Sequence, residues 1–175
     1  MIALGPAAAR EADGRTISAG TPGIVLMERA AEAVARECLR AVDAVPLRGE
    51  RVVVLCGTGN NGGDGFEAAR LLRTSRRVGR VSVLLLGARE RVGGDAAETL
   101  LRLEQEGGRV VAVDAEAGLE PLRGATMVVD ALFGTGLSRP LDAEGLAARA
   151  ARPSASRGRD RPVPTRASTT IVAPR

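Results

Sequence analysis

Between residues 57 and 65 the chain reads Gly57-Thr58-Gly59-Asn60-Asn61-Gly62-Gly63-Asp64-Gly65, with five glycines, two adjacent carboxamides and one carboxylate. Glycines at this density let backbone amides approach a phosphate-bearing ligand closely. Asn60, Asn61 and Asp64 add polar contacts that a bare phosphate cradle does not need. The competing reading is conformational, since glycine and asparagine both tolerate positive φ in tight connections. Five glycines exceed what one turn requires. A second candidate stretch is Asp130-Ala131-Leu132-Phe133-Gly134-Thr135-Gly136-Leu137-Ser138-Arg139-Pro140. Taken alone, Asp130 has a lesser reading as a capping or turn carboxylate, and Gly134-Thr135-Gly136, which also reads as ordinary loop glycine, is weak evidence. Taken with the first stretch, it places a carboxylate and a second Gly-x-Gly turn at the end of another apolar run.

The elements around these stretches decide whether they meet. Val52-Val53-Val54-Leu55-Cys56 precedes the first glycine-rich stretch, and the spacing predicts a helix over 66–78 after it. Residues 5–19 read as a weakly amphipathic helix. Ile24 to Val42 reads as a strong one, with Met27, Ala30, Ala31, Val34, Cys38 and Val42 at helical spacing. Further apolar runs at Val81–Leu86, Arg109–Val113 and Thr126–Leu132 read as strands. A helix over 94–106 has Ala96, Leu100 and Leu103 turned inward. Strands alternating with helices of this length predict βαβ units, hence an α/β domain with a mostly parallel sheet covered on both faces. Both candidate stretches then fall at the carboxyl ends of strands, where such sheets bind ligands.

Composition narrows the chemistry. The chain has 175 residues, enough for one domain, and contains no histidine, lysine, tyrosine or tryptophan. Without histidine there is no imidazole acid/base, triad or metal site, so proton transfer falls to aspartate or glutamate. The net charge of +4 is local: residues 151–175 carry six arginines and one acid, and the remainder is close to neutral. That distribution argues against specific nucleic-acid binding. Cys38 and Cys56 sit in apolar patterns as reduced core thiols, with neither disulfide nor zinc spacing. No apolar run reaches membrane-spanning length and no signal pattern opens the chain, so the expected location is cytoplasmic, without a membrane partner.

Residues 1–150 therefore read as the folded domain, and residues 151–175, rich in arginine and proline, as a disordered tail. Only four strands precede that tail, which leaves the sheet incomplete at its C-terminal end.

The chain resembles the YjeF N-terminal domain family, the NAD(P)H-hydrate epimerases. Three segments carry the resemblance: Gly59-Asn60-Asn61-Gly62-Gly63-Asp64-Gly65, Asp130-Ala131-Leu132-Phe133-Gly134-Thr135-Gly136-Leu137, and Gly23-Ile24-Val25-Leu26-Met27-Glu28-Arg29-Ala30. They occur in the family's order, and the likeness covers roughly residues 5–145. It implies a Rossmann-like, three-layer αβα epimerase that interconverts the R and S epimers of hydrated NADH and NADPH in cofactor repair. An ADP- or ATP-dependent dehydratase, separate or fused, would be the functional partner, and a homodimer is a further partner expectation. Carried over by position, Asn60, Asn61, Gly62, Gly63 and Asp64 contact the substrate. Asn61 and Asp130 hold a potassium ion. Gly134, Thr135, Gly136, Leu137, Ser138, Arg139 and Pro140 close on the substrate's phosphates.

One family feature has no counterpart. The family carries an Asp-x-Pro-Ser-Gly segment after a further buried strand; its aspartate is the usual proton-transfer candidate, and its serine completes the potassium site. Asp160-Arg161-Pro162 is a poor stand-in, so no catalytic residue is assigned. The change in composition near residue 150 reads as a truncated or frame-shifted end, with epimerisation impaired. Two other readings stand beside this one. One is a non-catalytic nucleotide-binding or interaction module of the same fold. The other is an ordinary NAD-dependent oxidoreductase. Gly57-Thr58-Gly59-Asn60-Asn61-Gly62 satisfies the dinucleotide pattern, but no acid ends the second strand at Leu86 to meet a ribose.

Overall fold

The run Val52–Cys56 has no polar face, and that alone assigns its place. In β1 (Arg51–Cys56) all of these residues are buried, as befits a central strand of a parallel sheet covered on both sides. The computed structural model describes residues 6–44, 51–113, 122, 125–134 and 169–172. Four further strands are β2 (Arg80–Leu86), β3 (Val110–Val113), β4 (Met127–Ala131) and β5 (Thr169–Val172). All pairings are parallel, and the order across the sheet is β3-β2-β1-β4-β5. The chain builds outward from β1 to β3, then returns to the other side of β1 for β4 and β5. This reversal makes the carboxyl ends of β1 and β4 a topological switch point.

The described helices are α1 (Pro6–Ser18), α2 (Gly23–Ala44), α3 (Asn60–Thr74) and α4 (Gly94–Gln105), with a 3-10 turn at Arg89–Arg91. Ala31, Val34 and Cys38 of α2, Phe66 and Leu72 of α3, and Leu100 and Leu103 of α4 share a core with Val52, Val54 and Val129. The opposite face of the sheet buries Val53, Leu55, Leu84 and Val128 against Leu122 and Leu132. Alternation along each strand thus feeds two cores, giving a three-layer α/β fold. The inward positions expected on α2 and α4 are buried, apart from Ala30, which is only half-buried.

Two elements differ from the sequence reading. Helix α3 begins at Asn60, not Phe66, so most of the glycine-rich stretch is helical. Glycine and asparagine are poor helix formers in isolation; here close packing, described below, overrides propensity. The second difference is β5, which lies inside the stretch read from composition as a disordered tail. Thr169-Thr170-Ile171-Val172 is wholly β-branched, which suits a pleated strand. It pairs with β4 from Met127↔Thr169 to Asp130↔Val172, so the sheet expected to stop at four strands carries a fifth. Asp160-Arg161-Pro162 lies outside the described residues.

Candidate functional site

Gly57, Gly62, Gly63 and Gly65 of the first stretch are required by proximity, and none of its glycines adopts positive φ; a Cβ on Gly59 would meet nothing within 4 Å. A Cβ on Gly57 would lie 2.2 Å from the Leu132 carbonyl oxygen, and one on Gly62 would lie 1.9 Å from the Gly57 carbonyl oxygen. A Cβ on Gly63 would meet Met27 Sδ at 2.6 Å and Ala96 Cα at 2.9 Å; one on Gly65 would meet Ala131 Cβ at 2.6 Å and Cys56 Sγ at 2.7 Å. These contacts draw the start of α3 down onto β1 and β4 while α2 and α4 close around it. Thr99 Oγ1 fastens the same joint, within hydrogen-bonding reach of the Gly63 and Ala96 carbonyl oxygens, each at 3.1 Å.

The result is an open helix end at the switch point. Gly59 occupies the N-cap without a capping side chain. The first intrahelical bond at this end is donated by Gly63 N–H to the Gly59 carbonyl, 3.1 Å away. The amides of Asn60, Asn61 and Gly62 are therefore left in the position where helix N-termini meet anions.

Both candidate stretches come together here. The Gly57 N–H donates to the Ala131 carbonyl at 3.1 Å, extending the β1–β4 ladder into the two turns. Gly134 packs against Asn61: a Cβ on that glycine would be 3.4 Å from Asn61 Cβ and 3.5 Å from Asn61 Oδ1. Asn61 is 6% exposed, and neither its Oδ1 nor its Nδ2 has a hydrogen-bond partner. A buried amide in that condition costs about 1–3 kcal/mol, which marks it as a group kept for a ligand, an ion or a water. Asp130 is buried opposite Leu55 near the end of β4. Its Oδ1 accepts the Leu132 N–H at 3.1 Å, so it does form the turn contact that the conformational reading allows. Asn61 and Asp130 thus stand at the same end of adjacent strands.

The other residues are arranged differently. Asn60 is exposed; Gly62 and Gly63 are buried, and Asp64 is fully enclosed. Burial pushes the Cys56 thiol well above its usual range, and the Asp64 charge adds to that. Cys56 is therefore an inert thiol beneath the site. Burial likewise pushes Cys38 up to about 12, with a smaller contribution from Glu37. Glu67, also enclosed, accepts two hydrogen bonds from Arg70 at 2.6 and 2.8 Å, and this raises the Arg70 guanidinium further above its ordinary range. Among the described residues no group of three or more His, Cys, Asp or Glu could hold a metal. Thr135, Gly136, Leu137, Ser138, Arg139 and Pro140 lie outside the described residues.

Sequence reasoning missed Gly87, which follows β2 with φ +107 and whose added Cβ would touch Thr58 Cγ2 at 3.1 Å. Its signal was a lone glycine directly after an apolar strand. Met27 and Thr99 were also missed as supports of the α3 start, since both read as ordinary helix residues.

A family model described as YjeF-related protein N-terminus matches residues 23–157. The NAD(P)H-hydrate epimerase of Oenococcus oeni is 39% identical over 125 residues, covering 71% of this chain and 55% of that protein. That of Rhodobacter capsulatus is 43% identical over 129 residues, covering 70% and 57%. The bifunctional NAD(P)H-hydrate repair enzyme Nnr of Thermofilum pendens is 43% identical over 121 residues, covering 67% of this chain and 22% of that enzyme. The crystal structure of the yeast protein ynu0 matches with a TM-score of 0.69 at 28% identity, covering 82% of this chain and 61% of that one. The chain therefore spans just over half the length of the two epimerases.

Proposed function

This chain belongs to the family of YjeF-related N-terminal domains, and on that premise we propose that it binds hydrated NADH or NADPH and interconverts their epimers. The observation that carries the reading is Asn61: a buried, unpartnered carboxamide that faces Gly134 across the switch point, beside the uncapped start of α3. The names of the relatives support the same activity. The open amides of Asn60, Asn61 and Gly62 receive the pyrophosphate, and the β4 side of the crevice receives the nicotinamide half.

The donor set fits a potassium ion. The Asn61 carboxamide oxygen and the Asp130 carboxylate are hard oxygen donors of the kind such cations take. Asn61 would gain there the partner it lacks. When bound, the ion supplies positive charge that orients the anionic substrate. Epimerisation breaks and re-forms a bond to oxygen or nitrogen at the hydrated carbon, which needs a proton delivered to and taken from those heteroatoms. Both carboxylates of the candidate stretches, Asp64 and Asp130, are buried, and neither is assigned that role. In this reading the domain works in the cytoplasm beside an ADP- or ATP-dependent dehydratase, the pairing suggested by the bifunctional relatives. Among the described residues no helix is long and apolar enough to cross a membrane.

Isothermal titration with NADPH, with and without potassium, tests the binding half; epimer exchange on hydrated NADPH tests the chemistry. Potassium-dependent binding supports the reading. Binding indifferent to potassium removes the cation from it. Binding without epimer exchange makes the domain a non-catalytic nucleotide module, and absence of binding rejects the reading altogether.

A further inference from the structure

The end of β2 lies beside the switch point and belongs to neither candidate stretch. Leu86-Gly87-Ala88 contains no carboxylate. Gly87 lies against Thr58, so this strand end borders the start of α3 directly. Immediately beyond it, the 3-10 turn carries Arg89, Glu90 and Arg91, all exposed. The turn is held in place: the Arg91 N–H donates to the Ala88 carbonyl at 3.0 Å, and Val92 packs on the helix-side core. Its two arginines differ. Both terminal nitrogens of Arg89 donate to the Glu104 carboxylate at 2.6 Å, which pulls the Glu104 carboxyl below its usual range. Arg91 forms no ion pair among the described residues.

In doubly wound sheets the second strand's end meets the adenosine ribose. An acid there binds the free 2′-hydroxyl, and an arginine there accommodates a 2′-phosphate. With the pyrophosphate at α3 and the reacting half on the β4 side, beside Asn61 and Asp130, the adenosine half falls across β2. We infer that Arg91 receives the 2′-phosphate, so that this domain prefers 2′-phosphorylated (NADPH-type) over unphosphorylated (NADH-type) dinucleotides. Arg89 stays committed to Glu104 and holds the turn. The inference rests on the dinucleotide reading above and names the substrate class of that site.

The test is binding of the full chain to 2′-phospho-ADP-ribose and to ADP-ribose by isothermal titration, which requires no turnover. The phosphorylated probe is expected to bind roughly tenfold more tightly, the worth of one charge-assisted hydrogen bond. Arg91→Ala is expected to erase that difference while leaving ADP-ribose affinity unchanged. Arg91 is exposed, so the variant keeps its fold, checked by circular dichroism. Equal affinity of the wild-type chain for the two probes overturns the preference. A preference that survives Arg91→Ala overturns the assignment to Arg91. Failure of both probes to bind overturns the inference together with the reading beneath it.

Discussion

Gly57 and Leu132 are in backbone contact: a single carbon added to the glycine would stand 2.2 Å from the leucine carbonyl oxygen. The two turns that build the crevice are therefore in register only while residue 57 has no side chain. Gly57→Ala is expected to destabilise the fold by roughly 1–3 kcal/mol, the usual cost of overpacking. It is also expected to weaken NADPH binding further, because the turns must separate to admit the methyl group. Urea unfolding and calorimetric titration measure the two effects.

Asn61 separates stability from binding. Its amide atoms lack partners in a buried position, so removing them relieves a penalty of about 1–3 kcal/mol and leaves a small void. Asn61→Ala is expected to leave the urea midpoint of the ligand-free protein unchanged or raised. The same variant is expected to lose the potassium dependence of NADPH binding. A clear fall in stability would show that the amide has a structural partner instead.

Two helical glycines should respond in opposite directions. Gly65 is wedged against Ala131 and Cys56, while Gly14, in exposed α1, has no atom within 4 Å of an added Cβ. Gly14→Ala is expected to stabilise by up to about 1 kcal/mol through helix propensity alone. Gly65→Ala gains the same propensity but loses roughly 1–3 kcal/mol to overpacking, for a net loss. Midpoints from parallel urea titrations decide the signs.

Cys38 gives a pH signature. Burial raises its thiol from an ordinary 9.0 to about 12 in the folded chain. Between those values the unfolded chain has lost the proton and the folded chain keeps it, so stability falls as pH rises. The contribution is fully present below pH 9.0 and is lost toward about pH 12. Urea midpoints are expected to drop from pH 8 to pH 10, and to drop less in Cys38→Ala. Both thiols are expected to resist iodoacetamide at pH 8 until the chain is unfolded.

Much of the framework was legible because each strand is short, apolar and bounded by turn residues. Val52–Cys56 and Val81–Leu86 announced burial on both faces, and Ala96, Leu100 and Leu103 announced the inner face of α4. The start of α3 was not legible: Asn60 to Gly65 has the composition of a loop, and its packing against Ala131, Met27, Ala96 and Cys56 accompanies a helical start. Those partners lie up to 66 residues away in sequence, as Gly65 and Ala131 do, and no local pattern encodes such distances. Thr169–Val172 was hidden for a different reason: four β-branched residues were outweighed by the arginine and proline around them. The two stretches of the candidate site were visible as motifs. That Asn61 faces Gly134, and that Asp64 is enclosed, required the packed structure.

The contacts at Gly62, Gly63 and Gly65 have an evolutionary corollary. Because bulk alone forbids a side chain at these positions, purifying selection would preserve the glycines in any descendant that still folds, including one that had lost every ligand. Their presence in a lineage therefore records heritage of architecture. Asn61, whose amide contributes nothing to the empty fold, is the position where relaxed selection would leave its first trace.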